Sequence, residues 1–420
     1  MNILFIHQYF TTREGTGGTR SYEFARHLVK SGHKVTMLAG AAHLRHVPAV
    51  ADGGMVVRTK IDGIDVIAVR VGYSNYMGYG QRLLSFAKFM LCSTWASLWM
   101  KGIDVVYASS TPLTVGIVGW LASAWHKVPF VFEVRDLWPE YIEDFGLTKN
   151  RPMIAGMRKM SAFLYKRAKR VVVISDSMNK RLQTLYAEAR DKVDTIPLGA
   201  DIDYEEGWGL ALPELPPGTL KVVFAGTLGY VVAVDRMLML ASKLKDDGVA
   251  FLVAGDGKMK PSLLKLKEDL KLDNVHFLGK LNKKQVFGLI KQADLCFISH
   301  RYVDETGRVY INCMDCLTNK FFDYIACGKP VLINHDSEST SYIEKFKCGV
   351  RLPHDDFEAA AKEVLRLKRD PALRRSMGEN ARRLACDRFD RKKMAESCER
   401  LLDTVVDEAA KRHRPALTPQ

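Results

Sequence analysis

The sequence predicts an α/β protein of two domains, each a series of strand–helix–strand units on a mostly parallel sheet. Three observations predict it. Short apolar runs recur along the chain, as strands buried on both faces require. Amphipathic segments with helical spacing separate them, and glycines follow the runs. A stretch rich in Gly, Pro and Glu, residues 203–218, divides the series into two halves. A length of 420 residues suits two domains, and 47% apolar with 26% charged residues is a globular rather than a disordered composition.

In the first half, residues 2–7 read as a buried strand rather than a signal peptide, since no basic region precedes the apolar run. The loop 11–19 carries Gly15, Gly17 and Gly18. A helix over 20–31 follows, with Tyr22, Phe24, Ala25, Leu28 and Val29 on its apolar side, and 34–38 is the next strand. Ligands bind at such carboxyl ends in open α/β sheets. The spacing is not GxGxxG, so dinucleotide binding is not indicated. Strands are expected at 63–69, 104–108, 130–134 and 171–174, and Ser175 with Asp176 caps the helix after the last. Residues 82–101 form the most apolar helix, holding Phe89, Trp95 and Trp99; it reads either as an in-plane interfacial helix or as a buried one. Residues 135–140, RDLWPE, place Arg135, Asp136 and Glu140 at the end of a buried strand. Residues 151–170 carry seven cations and no acid, the pattern of a membrane-surface or nucleic-acid element.

The hinge 195–201 begins the change of domain. In the second half, strands are expected at 220–225, 251–254, 275–278 and 295–299. Helices are expected from Asp235, through Lys271 and over 285–292, with glycine turns after the first two strands. The tail from Asp355 is helical, broken at Pro371, and frays near Pro415 and Pro419. The segment 315–330, DCLTNKFFDYIACGKP, reads as loop, short helix, strand. Thr318 is placed to cap the helix and Gly328 to end it. Asp315 and Asp323 are two acids with seven residues between them. Asn319 and Lys320 at the helix start suit a phosphate, and Asp323 one turn on suits a sugar hydroxyl.

A net charge of +14 implies an anionic partner: nucleic acid, an acidic membrane or a phosphorylated substrate. No nucleic-acid motif is present. The cysteines form no framework, which implies a reducing compartment, and Cys313 with Cys316 lacks the second pair that zinc needs.

The chain resembles the retaining nucleotide-sugar glycosyltransferases of family four, which have the GT-B fold of two Rossmann-like domains facing a cleft. The resemblance rests on GTGGTRSYEFARHLVKSGHKVTML, FEVRDLWPE, IPLGAD, FAGTLGY, LVAGDGK, NVHFLGKL and NKFFDYIACGKPV, in that order along nearly the whole chain. FEVRDLWPE and the apolar helix before it are most similar to bacterial O-antigen and capsule enzymes, including fucosamine transferases. The resemblance implies an acceptor-binding domain over 1–198, a nucleotide-sugar-binding domain over 199–390, and a C-terminal helix and tail over 391–420.

It also implies roles by position. Asp323 should hold the donor ribose and Asp315 should lie near the donor sugar, both standing where the family usually has glutamate. Gly17 and Gly18 belong to the loop that approaches the donor phosphates, and Gly226 with Thr227 to the turn of the second domain. The basic residue usual after that turn is missing from GTLGYVVAVDRM, leaving Lys320 or Arg236 to neutralise the diphosphate. Arg135 stands where many members have histidine; Asp136 and Glu140 are expected to orient the acceptor. The implied activity is transfer of a hexosyl or N-acetylhexosaminyl group from a UDP-linked donor, without metal or other cofactor. The acceptor would be a polyprenyl-diphosphate-linked or other glycan, in lipopolysaccharide or capsule synthesis. The expected location is cytoplasmic, on the inner face of the cell membrane. The alternative is a GT-B nucleotide-sugar epimerase, which would need no lipid acceptor.

Overall fold

The computed structural model describes residues 1–74, 76–204, 210–303, 307, 309–315 and 317–413, so Cys316, Pro415 and Pro419 lie outside the described residues. The chain divides into two compact units. One comprises Met1–Pro197 with the segment from Lys392 onward; the other is Leu198–Arg391.

The first unit is built on an eight-stranded sheet: β1 (Asn2–His7), β2 (Lys34–Gly40), β3 (Val56–Ile61), β4 (Ile64–Val69), β5 (Val105–Ser109), β6 (Phe130–Val134), β7 (Arg170–Val173) and β8 (Val193–Thr195). Their order is 3-4-2-1-5-6-7-8. All pairs are parallel except β3 with β4. β1 and β5 at the centre are apolar and almost wholly buried, as a sheet covered on both faces demands. β3 was not expected from the sequence; its residues alternate between exposed and half-buried, which suits an edge strand. The helix Thr114–His126, apolar nearly all round, was also not expected.

The apolar helix spans Tyr79–Leu98. Phe89 is buried, while Leu84, Leu91 and Trp95 on the opposite side, and Trp99 just beyond the end, are exposed. It is therefore not a wholly buried helix. Among the described residues no helix is long and apolar enough to cross a membrane. The basic helix runs Arg151–Arg167. Its lack of acids is local in sequence only: Arg158 pairs with Glu143 and Glu140, and Lys169 and Arg170 pair with Glu408.

The helix Arg391–His413 is not a free tail. Ala395, Cys398, Leu402 and Val405 form one helical stripe and are buried in the core of the first unit. Glu399 on that helix meets His27 Nε2 at 2.6 Å and His33 Nε2 at 3.0 Å.

The second unit holds six parallel strands: β9 (Leu220–Ala225), β10 (Val249–Ala254), β11 (Val275–Gly279), β12 (Leu295–Ile298), β13 (Val331–Ile333) and β14 (Gly349–Arg351). Their order is 11-10-9-12-13-14. The order reverses between β9 and β12 here, and between β1 and β5 in the first unit. These are the switch points where open α/β sheets take ligands, outside the carboxyl ends of the strands.

Candidate active site

In the second unit, β9 ends at the turn that contains Gly226 and Thr227. The glycine loop after β10 packs directly on that turn. A Cβ on Gly255 would come within 1.9 Å of the Gly226 carbonyl oxygen, and one on Gly257 within 2.5 Å of the Leu228 oxygen. Only glycine permits this approach. Lys320 reaches the same turn: a Cβ on Gly226 would stand 3.4 Å from Lys320 Nζ. Gly226 and Lys320, 94 residues apart in sequence, are thus neighbours. Thr227 is exposed beside them.

Lys320 lies in the first turn of the helix Asn319–Ala326. Thr318 occupies the N-cap position, but its side chain makes no capping hydrogen bond, contrary to expectation. Thr318 Oγ1 and Asn319 Oδ1 are buried and lack hydrogen-bond partners among the described residues. The first turn therefore keeps its N–H groups free of a side-chain cap, with an ammonium beside them, which favours an anion. Gly328 ends the helix at φ +63°, as expected.

Asp323, buried in this helix, accepts a hydrogen bond from Lys283 Nζ at 2.6 Å. Burial pushes its carboxyl up and Lys283 opposes that. Lys283 opens the helix Lys283–Lys291. Sequence reading gave Asp323 no protein partner. Asp315 is half-buried in the turn after the helix Ile311–Met314. Arg236 pairs with Asp355, which leaves Lys320 as the better placed cation at the Gly226 turn.

Two histidines at the carboxyl ends of β12 and β13 were missed. His300 Nδ1 and His335 Nε2 lie 3.0 Å apart and both rings are buried. Burial, then His335 and Lys320, hold His300 well below an ordinary histidine. Burial, then His354, Lys320 and Arg351, hold His335 at about 3. Both are neutral at pH 7, so one ring donates and the other accepts.

In the first unit, Arg135 and Asp136 follow β6 directly. Arg135 NH1 is 3.2 Å from His7 Nε2, and its backbone N–H donates to Ser110 Oγ at 3.1 Å. Asp136 accepts from Thr111 Oγ1 at 2.6 Å. Beneath them Glu133 accepts from Arg20 Nε at 2.7 Å and from the Ser109 hydroxyl, with both Arg20 and Glu133 inaccessible to solvent. Burial alone would raise the Glu133 carboxyl, but Arg20, Arg135 and the Ser109 bond outweigh it and hold it at about 2. Arg20 also donates to the carbonyls of Ile196 and Pro197, in the segment where the chain leaves this unit.

Glu140 does not join Arg135 and Asp136. It opens the helix Glu140–Asp144 and turns inward, where it accepts from Tyr186 OH at 2.8 Å and pairs with Arg158. Gly17, in the loop 11–19, has φ +122°, a conformation that favours glycine. Gly18 is half-exposed in the same loop. Among the described residues no group of three or more His, Cys, Asp or Glu is arranged to hold a metal ion.

Two sheets of this topology, each with a polar cluster at its switch point, define a class. The fold is GT-B, and the family models agree. Residues 15–199 match the glycosyl transferase 4-like domain, and residues 213–384 match the glycosyl transferases group 1. The chain belongs among the glycosyltransferases built from these two domains. A glycosyltransferase of Methanocaldococcus jannaschii is 20% identical over 255 residues, 60% of this chain and 62% of that one. The chain spans between 41% and 63% of the length of the curated relatives that it matches. Sucrose-phosphate synthase from Thermosynechococcus elongatus has a TM-score of 0.75 at 16% identity, covering 97% of this chain and 99% of that one. HepE of Anabaena, solved with UDP, has a TM-score of 0.65 at 17% identity, covering 96% and 100%. At these identities the structures speak for the fold alone.

Proposed function

We propose that the chain is a retaining glycosyltransferase that moves a hexosyl or N-acetylhexosaminyl group from a UDP-linked sugar to a lipid-linked or other glycan acceptor. The observation that carries this reading is the placement of Lys320 against the Gly226 turn at the switch point of the second unit. A diphosphate seated there meets an ammonium, the Gly226–Thr227 turn and the first turn of the helix Asn319–Ala326. HepE, of the same fold, was solved with UDP and with UDP-glucose, which supports the donor class.

The barrier in such a transfer is departure of the diphosphate from an oxocarbenium-like centre, so stabilising its growing negative charge is the main task. Lys320 and the helix N–H groups supply that without a metal. Lys283 holds the Asp323 carboxylate in one orientation, leaving its remaining lone pairs for the ribose hydroxyls. Asp315 is assigned to the donor sugar, and Gly17 and Gly18 to the donor phosphates. On the acceptor side, Arg135 and Asp136 are assigned to the hydroxyl that attacks; Glu140, engaged with Tyr186, is not. The leaving phosphate oxygen takes the acceptor proton, so no separate base is required.

The acceptor is read as amphiphilic and the protein as peripheral on an anionic bilayer, in synthesis of a bacterial surface polysaccharide. Support comes from the exposed Leu84, Leu91, Trp95 and Trp99, and from Trp125, exposed on the helix packed beside them. Arg151, Lys159, Lys166 and Arg167 add positive charge. No observation favours the epimerase alternative. The test is incubation of the full chain with a panel of nucleotide sugars, with and without polyprenyl-diphosphate-linked glycans, and products read by mass. A product gaining one sugar supports the reading. Conversion of the donor to an isomer without acceptor overturns it.

A further inference from the structure

The buried pair His300–His335 has no part in the reaction above, and its position follows from the strands that carry it. Between β12 and β13, Cys296 stands opposite Val331 and Ile298 opposite Ile333, so two residues further on His300 stands opposite His335. Side chains alternate between the faces of a sheet. Leu295, Phe297 and Leu332 belong to the apolar core on one face. Ser299 continues that face, donating to the Ala233 carbonyl at 2.9 Å just before the helix Val234–Ser242. His300 and His335 therefore project from the other face, the one covered by the helix Asn319–Ala326 that carries Lys320. Tyr324 of that helix reaches the end of β9, its hydroxyl accepting from the Ala225 N–H at 3.0 Å. On β9, Val222 stands opposite Leu295 and Val223 opposite Cys296. Counting on along both strands, Ser299 and His300 come level with Gly226 and Thr227, the turn that Lys320 reaches. The Arg301 N–H donates to the Val231 carbonyl at 2.8 Å, which ties this end of β12 to the segment after that turn.

The protons of the pair can be placed. His300 Nδ1 and His335 Nε2, 3.0 Å apart, share one N–H, since both rings are neutral at pH 7. His335 Nδ1 is enclosed and has no partner among the described residues. A proton there would be a buried donor with nothing to accept it, which is the costlier way to leave that nitrogen. His335 therefore carries its proton on Nε2 and donates it to His300 Nδ1. His300, accepting at Nδ1, carries its own proton on Nε2, on the side of the ring away from His335. His300 is also the more open of the two, 5% exposed against 1%. We propose that His300 gives this neutral Nε2–H to an oxygen of a diphosphate seated at the Gly226 turn, and that His335 is the positioning residue that fixes the tautomer. The proposal rests on the transferase reading and adds to Lys320 a second donor, presented by β12 rather than by the helix. Such a hydrogen bond strengthens as negative charge grows on the departing phosphate. The proton stays on His300 throughout, so the leaving phosphate oxygen still takes the acceptor proton.

The test uses the full chain with nitrogen-15-labelled histidine, and UDP and uridine as probes. Nitrogen NMR distinguishes a bare ring nitrogen from a protonated one. At pH 7 the free protein is expected to show His300 protonated at Nε2 and bare at Nδ1, its signals assigned by their loss in His300→Gln. UDP should shift the Nε2 signal and uridine should not. His300→Ala should bind UDP about tenfold more weakly and uridine as the parent does. His300→Gln, which keeps an N–H near the same place, should recover most of that loss. His335→Leu should weaken UDP binding severalfold, because nothing then fixes the tautomer, and His335→Gln, which restores an N–H, should recover it. The proposal is overturned if His300 carries its proton on Nδ1, or if His300→Ala binds UDP as the parent does. It is also overturned if His300→Ala loses uridine as much as UDP, since a merely structural role would weaken both. Absence of UDP and uridine binding by the parent instead overturns the reading of a UDP-linked donor, while the nitrogen spectrum, which needs no nucleotide, still reads the tautomer.

Discussion

Replacing Glu133 by glutamine should destabilise the first unit strongly although the shape of the side chain is kept. Glu133 is the counter-charge for Arg20, bonded at 2.7 Å with both groups out of reach of solvent, and it also faces Arg135. Glu133→Gln leaves the Arg20 guanidinium in the interior without an anion and takes one of two neighbouring carboxylates from the half-buried Arg135. Removing one partner of a buried pair costs roughly 3–5 kcal/mol. Proton linkage gives a similar figure. A carboxyl held at about 2 instead of 4.5 corresponds to about 3 kcal/mol at neutral pH. Because the folded value is depressed, this contribution is present above pH 4.5 and fades as the pH falls towards 2. Trp95, Trp99, Trp120, Trp125 and Trp138, five of the six tryptophans, lie in the first unit, so tryptophan fluorescence during urea unfolding reports chiefly that unit. With a slope of roughly 2–3 kcal/mol per molar urea, the midpoint at pH 7 should fall by about 1–2 M. The acid limb of the stability curve should also be flatter in Glu133→Gln than in the parent. A midpoint lowered by less than about 0.3 M would refute the reasoning, since the pair would then contribute nothing net.

Four further outcomes are expected. Lys320→Ala should weaken UDP binding by about 1.5–3 kcal/mol, the worth of a charge-assisted hydrogen bond, while Arg236→Ala leaves it nearly unchanged; equal losses in titration calorimetry would remove Lys320 from the diphosphate site. Asp323→Asn should lower turnover at sub-saturating donor, because Lys283 loses the anion it orients; parental kcat/KM would sink the ribose assignment. Turnover should survive EDTA, and its loss with recovery on adding Mg²⁺ would show that amides and Lys320 do not suffice. Changing Arg151, Lys159, Lys166 and Arg167 to glutamate should release the protein from anionic vesicles, since each surface cation contributes about 1 kcal/mol. Arg170 is left out because Glu408 already pairs with it. Undiminished sedimentation with vesicles at low salt would refute the membrane reading.

The sheets were legible in the sequence because their central strands hold apolar runs closed by glycine, as in residues 222–225 before Gly226. β3 escaped because Val56–Ile61 alternates between exposed and half-buried, and a polar edge strand resembles a loop. The helix Thr114–His126 escaped for the opposite reason, having no polar face to betray its period. At the candidate site, residues beside a glycine turn or a helix start could be named from local chemistry, as Lys320 and Gly226 were. Their partners could not. Arg20 and Glu133 are 113 residues apart, Lys283 and Asp323 are 40 apart, and His300 and His335 are 35 apart. Nothing local marks either member of such a pair. Glu140 shows the converse: its place after a buried strand suggested a role in a cleft, whereas one helical turn directs it at Tyr186.

The stripe Ala395, Cys398, Leu402 and Val405 bears on how the protein is made. The first unit is written in two instalments, with all of Leu198–Arg391 between them. At ribosomal rates of 5–20 residues per second, its sheet emerges roughly 10–40 s before the helix that covers part of its core. During that interval the apolar surface awaiting Leu402 and Val405 is open to solvent and to other nascent chains. The second unit, continuous in sequence, suffers no such delay. Over-expression that outruns chaperone capacity should therefore yield aggregates seeded by the first unit. Supplying the helix Arg391–His413 in trans as a peptide should raise the soluble yield of a chain cut after Arg391.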